Sequence, residues 1–132
     1  MRLIDKLAWI EIQDGKILTA RSENKDKFYI PGGKRENGES DEQALIREIR
    51  EELSVEIDFN SISYFGTFEA QAHGHDPNVL VKMTCYFSEY SGIIKAASEI
   101  AEVAWLSYDE WPKTSYVDKL IFDDLNLKGL LP

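Results

Sequence analysis

Glu48, Glu51 and Glu52 stand three and four residues apart, and Gly33 and Glu39 precede them in the run Gly33-Lys-Arg-Glu-Asn-Gly-Glu39. On a helix this spacing gathers three carboxylates on one face, where like charges are stacked at some cost unless a cation neutralises them. Hard oxygen donors beside a glycine bend suit a divalent cation and a polyphosphate. The bland alternative is a solvated acidic face on which Arg47 pairs with Glu51, which is how most acidic helices end up.

The elements around this motif are legible in outline. At 100° per residue, Leu45, Ile46, Ile49 and Leu53 occupy an arc of about 100°, and Glu48, Glu51 and Glu52 fill the adjacent arc. One side of such a helix docks and the other presents acid. Ser40 with Gln43 three positions on forms a capping-box pattern, and Asp41 and Glu42 suit the positive end of the helix dipole. Upstream, the apolar stretch from Leu3 to Ile12, the turn signal Asp14-Gly15 and the stretch from Lys16 to Arg21 predict a β-hairpin. A short strand is expected at Phe28 to Ile30, stopped by Pro31-Gly32-Gly33. Further strands are expected at 61–71, 79–90 and 102–106. Val117, Leu120, Ile121 and Leu125 have the spacing of an amphipathic C-terminal helix. The order β, β, α, β, β, β, α predicts an α/β (α+β) fold with a mixed sheet and helices packed on it.

The chain has 132 residues, most simply one domain over 1–132, long enough to bury roughly two thirds of its unfolded surface. The formal charge of -9, from 15 basic and 24 acidic residues, opposes attraction to polymeric nucleic acid or an anionic membrane. Small anionic substrates stay open, because a divalent metal can invert the local field. Cys85 is the single cysteine, which rules out an intrachain disulfide, and its place in an alternating apolar run marks it as core. No segment reaches the roughly 20 apolar residues of a membrane span, and the first residues have no uninterrupted apolar signal region. A soluble cytoplasmic protein is expected.

The complete pattern resembles the Nudix box: Gly, five residues, Glu, seven residues, then Arg-Glu-(aliphatic)-any-Glu-Glu-any-Gly-(aliphatic). Gly33, Glu39, Arg47, Glu48, Ile49, Glu51, Glu52 and Val55 satisfy eight of the nine specified positions. Six of these are fixed identities, so coincidence at a given start is on the order of 10⁻⁶ or below. The departure is Ser54 in place of the glycine after the helix, a position that often takes a left-handed conformation and puts the exit loop in question. The motif spans 23 residues, and Pro31-Gly32 ahead of it is similar to the strand ending common in the family.

The resemblance implies a Nudix-like α/β/α sandwich and hydrolysis of a nucleoside diphosphate linked to another group, using Mg²⁺ or Mn²⁺ and a water nucleophile. By carry-over, Glu48, Glu51 and Glu52 are carboxylate ligands or metal-water contacts, and the Gly32 carbonyl is a candidate additional ligand. Arg47 would orient the glutamates, and Glu39 would brace the loop, with Gly33, onto the helix. A further acid outside the box often completes such a site. Glu99, six residues before Trp105, resembles the MutT-type arrangement and is favoured as ligand or base over its competitor Glu102. Lys34 and Arg21 are candidates for holding phosphate oxygens. His73 and His75, an i,i+2 pair in a polar loop, lack further ligands nearby and are read as solvent-exposed.

For the substrate, a proline about fifteen residues beyond the box would suggest ADP-ribose and a tyrosine just beyond it dinucleoside polyphosphates. Ala70, Gln71 and Ala72 stand there instead. The compact length resembles MutT-type enzymes, so the leading expectation is a nucleoside triphosphate pyrophosphohydrolase. Phe28, Tyr116 and Asp118 are candidates for stacking on a base and reading its edge. Trp111-Pro112 reads as a turn packed on the core. The alternatives are a hydrolase of ADP-ribose, a sugar nucleotide or another diphosphate, and a non-catalytic nucleotide-binding module of the same fold. A monomer or homodimer is expected, with a small nucleotide as its partner.

Overall fold

The computed structural model describes residues 2–72 and 77–132, so His73 and His75 lie outside the described residues. β1 (Arg2–Ile10) shows how the molecule is layered. Its residues alternate between two apolar cores, Ile4, Ala8 and Ile10 joining one and Leu7 and Trp9 the other. A strand covered on both faces reads as a nearly continuous apolar run, as Leu7 to Ile10 does.

β1 runs parallel to β7 (Val79–Phe87), which pairs antiparallel with β6 (Ser63–Gln71). On its other side β1 pairs antiparallel with the two-residue β4 (Gly32–Gly33), giving the mixed order β4-β1-β7-β6. A second sheet has the order β2-β3-β9, from Ile12–Gln13, Lys16–Ser22 and Ile100–Leu106. A two-residue ribbon joins β5 (Glu56–Ile57) to β8 (Tyr90–Ser91). α1 (Asp41–Leu53) packs Ala44, Leu45, Ile49 and Leu53 into one core. α2 (Tyr116–Leu127) packs Val117, Ile121, Phe122 and Leu125 into the other. The result is an α/β/α sandwich around a mixed sheet. Cys85 is buried within it, and burial pushes its thiol up.

Four local expectations are corrected. The opening is not one long hairpin: only Ile12 and Gln13 pair back onto Lys16 and Ile17, through Asp14 and Gly15 at φ 52° and 76°. Such a primed turn suits a tight hairpin, but β1 belongs to the other sheet, where both its faces find apolar cover. Phe28 to Ile30 makes bridges with Ala20 and Thr114 instead of a strand, because the Phe28 N–H goes to the Lys113 carbonyl and the Ile30 N–H to the Asp118 carboxylate. The third and fourth expected strands are shifted: β7 ends at Phe87 before the separate β8, and β9 starts at Ile100. In α2 Leu120 is exposed, and Asp118 and Phe122 are buried on the inner face with Val117, Ile121 and Leu125.

The helix that carries the acids forms as its sequence dictates. Ser40 Oγ accepts from the Gln43 N–H and Gln43 Oε1 from the Ser40 N–H, closing the capping box. At the far end Ser54 adopts φ 63°, ψ 23°, the left-handed conformation a glycine would take freely, at a cost of about 1 kcal/mol. Its hydroxyl donates to the Lys95 carbonyl, 3.3 Å away, and so helps hold the exit loop in place. No helix among the described residues is long and apolar enough to cross a membrane.

Candidate active site

Arg47 organises the acidic face of α1. Its Nε and Nη2 donate to the two oxygens of Glu39 at 2.7 and 2.9 Å, a bidentate fork. Nη1 donates to Glu48 Oε1 at 2.8 Å and lies 3.5 Å from Glu51, and Nη2 also reaches the Lys34 carbonyl at 3.0 Å. The loop from Lys34 to Glu39 is therefore fastened to the helix by one guanidinium. The Arg47 hydrogen bonds, helped by the Glu36 N–H, hold the Glu39 carboxyl down to about 2.

The glycines before the loop let backbone and carboxylate approach closely. A Cβ on Gly32 would fall inside the Leu7 carbonyl oxygen, and one on Gly33 inside the Glu48 carboxylate. Glu48 is mostly buried and Glu51 is exposed. Burial pushes the Glu48 carboxyl up against the pull of Arg47. For Glu52, burial first and the Glu48 charge second push the carboxyl up to about 8, and the Gly32 N–H, 3.4 Å away, only partly offsets this.

Glu99 comes from the turn before β9, yet its charge raises both Glu48 and Glu52, so the fold brings this acid to the helix face. Glu102 lies opposite Arg21 in the β3–β9 register and pairs with its Nε at 3.2 Å. Arg21 also donates to the Lys25 carbonyl, so Glu102 and the turn share its guanidinium. Among the described residues no three acids, histidines or cysteines converge as a ready-made metal cage. The donor set is nonetheless all hard oxygen, and its mutually raised carboxyls are a negative cluster that a divalent cation would relieve.

A cavity of about 170 Å³ adjoins this face, with Gly32 and Glu52 in one wall and Ser115, Tyr116 and Val117 in another. Of the base-reading candidates, Tyr116 lines it, whereas Phe28 packs against the core. Asp118 is fully buried: its Oδ2 accepts from the Ile30 N–H and the Ser115 hydroxyl, and its Oδ1 has no partner. Burial pushes its carboxyl up to about 7. Lys34 is exposed at the mouth of the loop.

One residue of this cavity went unread in the sequence. Lys6 of β1 lines it, and burial lowers the ammonium's pKa against the opposing pull of Asp118 and Glu52. The signal was available: Lys6 stands in phase with Ile4, Ala8 and Ile10, so period-two alternation aims it into the core face.

The family model for the NUDIX domain matches residues 6–124. The chain belongs to the Nudix hydrolase family. It is 32% identical over 114 residues to a CTP pyrophosphohydrolase of Escherichia coli, covering 83% of this chain and 80% of that protein. It is 27% identical over 116 residues to an ADP-ribose pyrophosphatase of Methanocaldococcus jannaschii, covering 85% of this chain and 66% of that protein, just under two thirds of its length. The solution structure of the E. coli ORF135 protein superposes at a TM-score of 0.76 with 27% identity, covering 100% of this chain and 95% of that one. A MutT NUDIX hydrolase from Burkholderia pseudomallei, 18% identical, shares the fold at a TM-score of 0.77 over 93% of this Nudix chain and 98% of its own. Nudix hydrolases act on small nucleotide substrates and generally use divalent metal ions.

Proposed function

We propose that this Nudix hydrolase cleaves nucleoside triphosphates between the α and β phosphates, giving a monophosphate and pyrophosphate. The observation that carries this reading is the wall shared by the cavity and the acidic face, Gly32 and Glu52. At about 170 Å³ the cavity is smaller than the 300–1,000 Å³ that encloses a whole drug-sized ligand, so it suits one end of the substrate, the base, with the phosphates leaving past Glu52. The similarity to a CTP pyrophosphohydrolase supports the same reading.

Glu48, Glu51 and Glu52, with the Gly32 carbonyl, would hold Mg²⁺ or Mn²⁺, which when bound neutralises charge on the phosphate oxygens. The chain's own residues supply the rest. Arg47 fixes the direction of Glu48, and Glu39 holds Arg47. Lys34 meets phosphate oxygens as a point charge. Glu99, exposed and free of a bonded cation among the described residues, takes the proton of the attacking water as its oxygen bonds to phosphorus and the anhydride oxygen leaves with pyrophosphate. Tyr116 offers a ring at the cavity, and Asp118 an unpaired oxygen behind it. Arg21, shared with Glu102, braces the turn that carries Glu99 instead of binding phosphate.

The test is a Mg²⁺-dependent hydrolysis screen over nucleoside triphosphates, oxidised nucleotides, ADP-ribose and sugar nucleotides, scored for pyrophosphate release and run beside Glu51→Gln and Glu52→Gln. Pyrophosphate from triphosphates, lost in both variants, is the expected result. Turnover of ADP-ribose or a sugar nucleotide alone would move the substrate to another diphosphate. Inertness throughout, or unchanged rates in the variants, would remove the catalytic reading.

A further inference from the structure

We propose that Lys6 is the residue by which this cavity selects nucleobases bearing a carbonyl oxygen, namely cytosine, guanine, uracil and thymine, over adenine. This rests on the nucleotide reading above and narrows its substrate class. Lys6 interrupts the inward apolar series Ile4, Ala8 and Ile10, and it opens onto the cavity that Ser115, Tyr116 and Val117 also line. Among the described residues it donates no hydrogen bond and forms no ion pair, and its nearest recorded partner is the Tyr29 ring, 6.0 Å from Nζ to the centroid.

A methionine of similar length would fill this place without desolvating a charge, so packing alone does not call for lysine. The ammonium is available to a ligand, and it can only donate. Its strongest electrostatic partner is Asp118, ahead of Glu52, which places it on the side of the cavity nearer α2 than the metal-binding face. A group there meets the base before the phosphates. A carbonyl oxygen accepts from it in a charge-assisted bond, whereas the amino group of adenine in that place would set donor against donor and leave both unpaired.

The experiment compares kcat and KM of the wild type, Lys6→Met and Lys6→Gln for ATP, CTP, GTP and UTP with Mg²⁺, together with calorimetric binding of CMP and AMP without metal. A lost hydrogen bond to a charged group corresponds to about 10- to 100-fold. The wild type is therefore expected to prefer the carbonyl-bearing bases over ATP by about that factor. Lys6→Met should shrink the preference to about threefold or less, chiefly by raising KM for those bases, and Lys6→Gln, which keeps an uncharged donor, should fall between. CMP should bind the wild type more tightly than AMP and lose that advantage in Lys6→Met. Equal turnover of ATP in the wild type overturns the proposal, and so does an equal loss for all four bases in Lys6→Met, which would mark a phosphate contact. A CMP preference that depends on Lys6 in a protein that hydrolyses nothing would uphold Lys6 while removing the hydrolytic reading.

Discussion

Arg47 and Glu39, eight residues apart, meet through two parallel hydrogen bonds of 2.7 and 2.9 Å, and the same guanidinium reaches Glu48 and the Lys34 carbonyl. One side chain thus sets both the loop and the direction of a catalytic-face carboxylate. The Glu39 carboxyl is held down to about 2, below its unfolded value, so the pair's contribution is complete above the ordinary carboxylate range and is lost as pH falls through about 2.

Arg47→Lys keeps the charge but cannot make the fork, because an ammonium is a point donor. Glu48 and the loop then lose their common anchor. A fall in kcat/KM of roughly 10-fold or more is expected from misplacement alone, with a lower Tm. An Arg47→Lys enzyme with wild-type kcat/KM would show that the fork does not position the site.

The two loop glycines separate stability from metal binding. Gly33 has no positive φ, and an added methyl there meets only the Glu48 carboxylate, so Gly33→Ala should fold while displacing that acid. The gain in Tm on adding Mg²⁺ should shrink, since that gain reports binding to the folded state. Gly32→Ala would instead strike the Leu7 and Ala8 backbone and part β4 from β1, with an expected loss of about 3 kcal/mol and roughly 10 °C in Tm. Equal Tm losses in the two metal-free variants would contradict this division.

How far each residue could be read depended on how local its determinants are. α1 was legible because its cap, docking arc and acid arc are all written within fifteen residues, and the structure reproduces the Ser40–Gln43 box and the burial of Leu45, Ile49 and Leu53. β1 was misassigned to a hairpin because an apolar run does not say which sheet will cover it, and Phe28 to Ile30 lost its strand to partners some 85 residues away. Arg21 could not be assigned from the sequence, since its pairing with Glu102 depends on the β3–β9 register. Lys6 was passed over as one scattered charge, although its phase with Ile4 and Ala8 already aimed it inward.

Glu99 and Glu102 are distinguished by their surroundings. Glu99 acts electrostatically on Glu48 and Glu52, whereas Glu102 is an exposed partner of Arg21. Glu99→Gln is expected to lower kcat by about 100-fold or more, the contribution of a positioned proton acceptor, with little change in Tm. Glu102→Gln removes a surface ion pair, usually worth about 1 kcal/mol or less, and should leave kcat within about threefold. The reverse ranking in a steady-state assay would transfer the role to Glu102.

Asp118 should make the protein less stable as pH rises through the neutral range. An unfolded aspartate titrates near 4, and the folded value is pushed up to about 7 by burial, so the folded state holds the proton over this interval and the unfolded state does not. The stability conferred by the neutral acid is complete below about pH 4 and is lost as pH rises through about 7, a difference on the order of 4 kcal/mol. In Asp118→Asn the amide oxygen can still accept from the Ile30 N–H and the Ser115 hydroxyl, and the group no longer titrates. The Tm of Asp118→Asn minus that of the wild type should therefore grow between pH 5 and pH 8, by about 10 °C for a chain of this size. A difference that stays flat across that range would show that Asp118 carries no buried charge at neutral pH. A growing difference would show that the fold keeps an acid whose Oδ1 has no partner at a cost in stability, as expected of a group retained for what enters the cavity beside it.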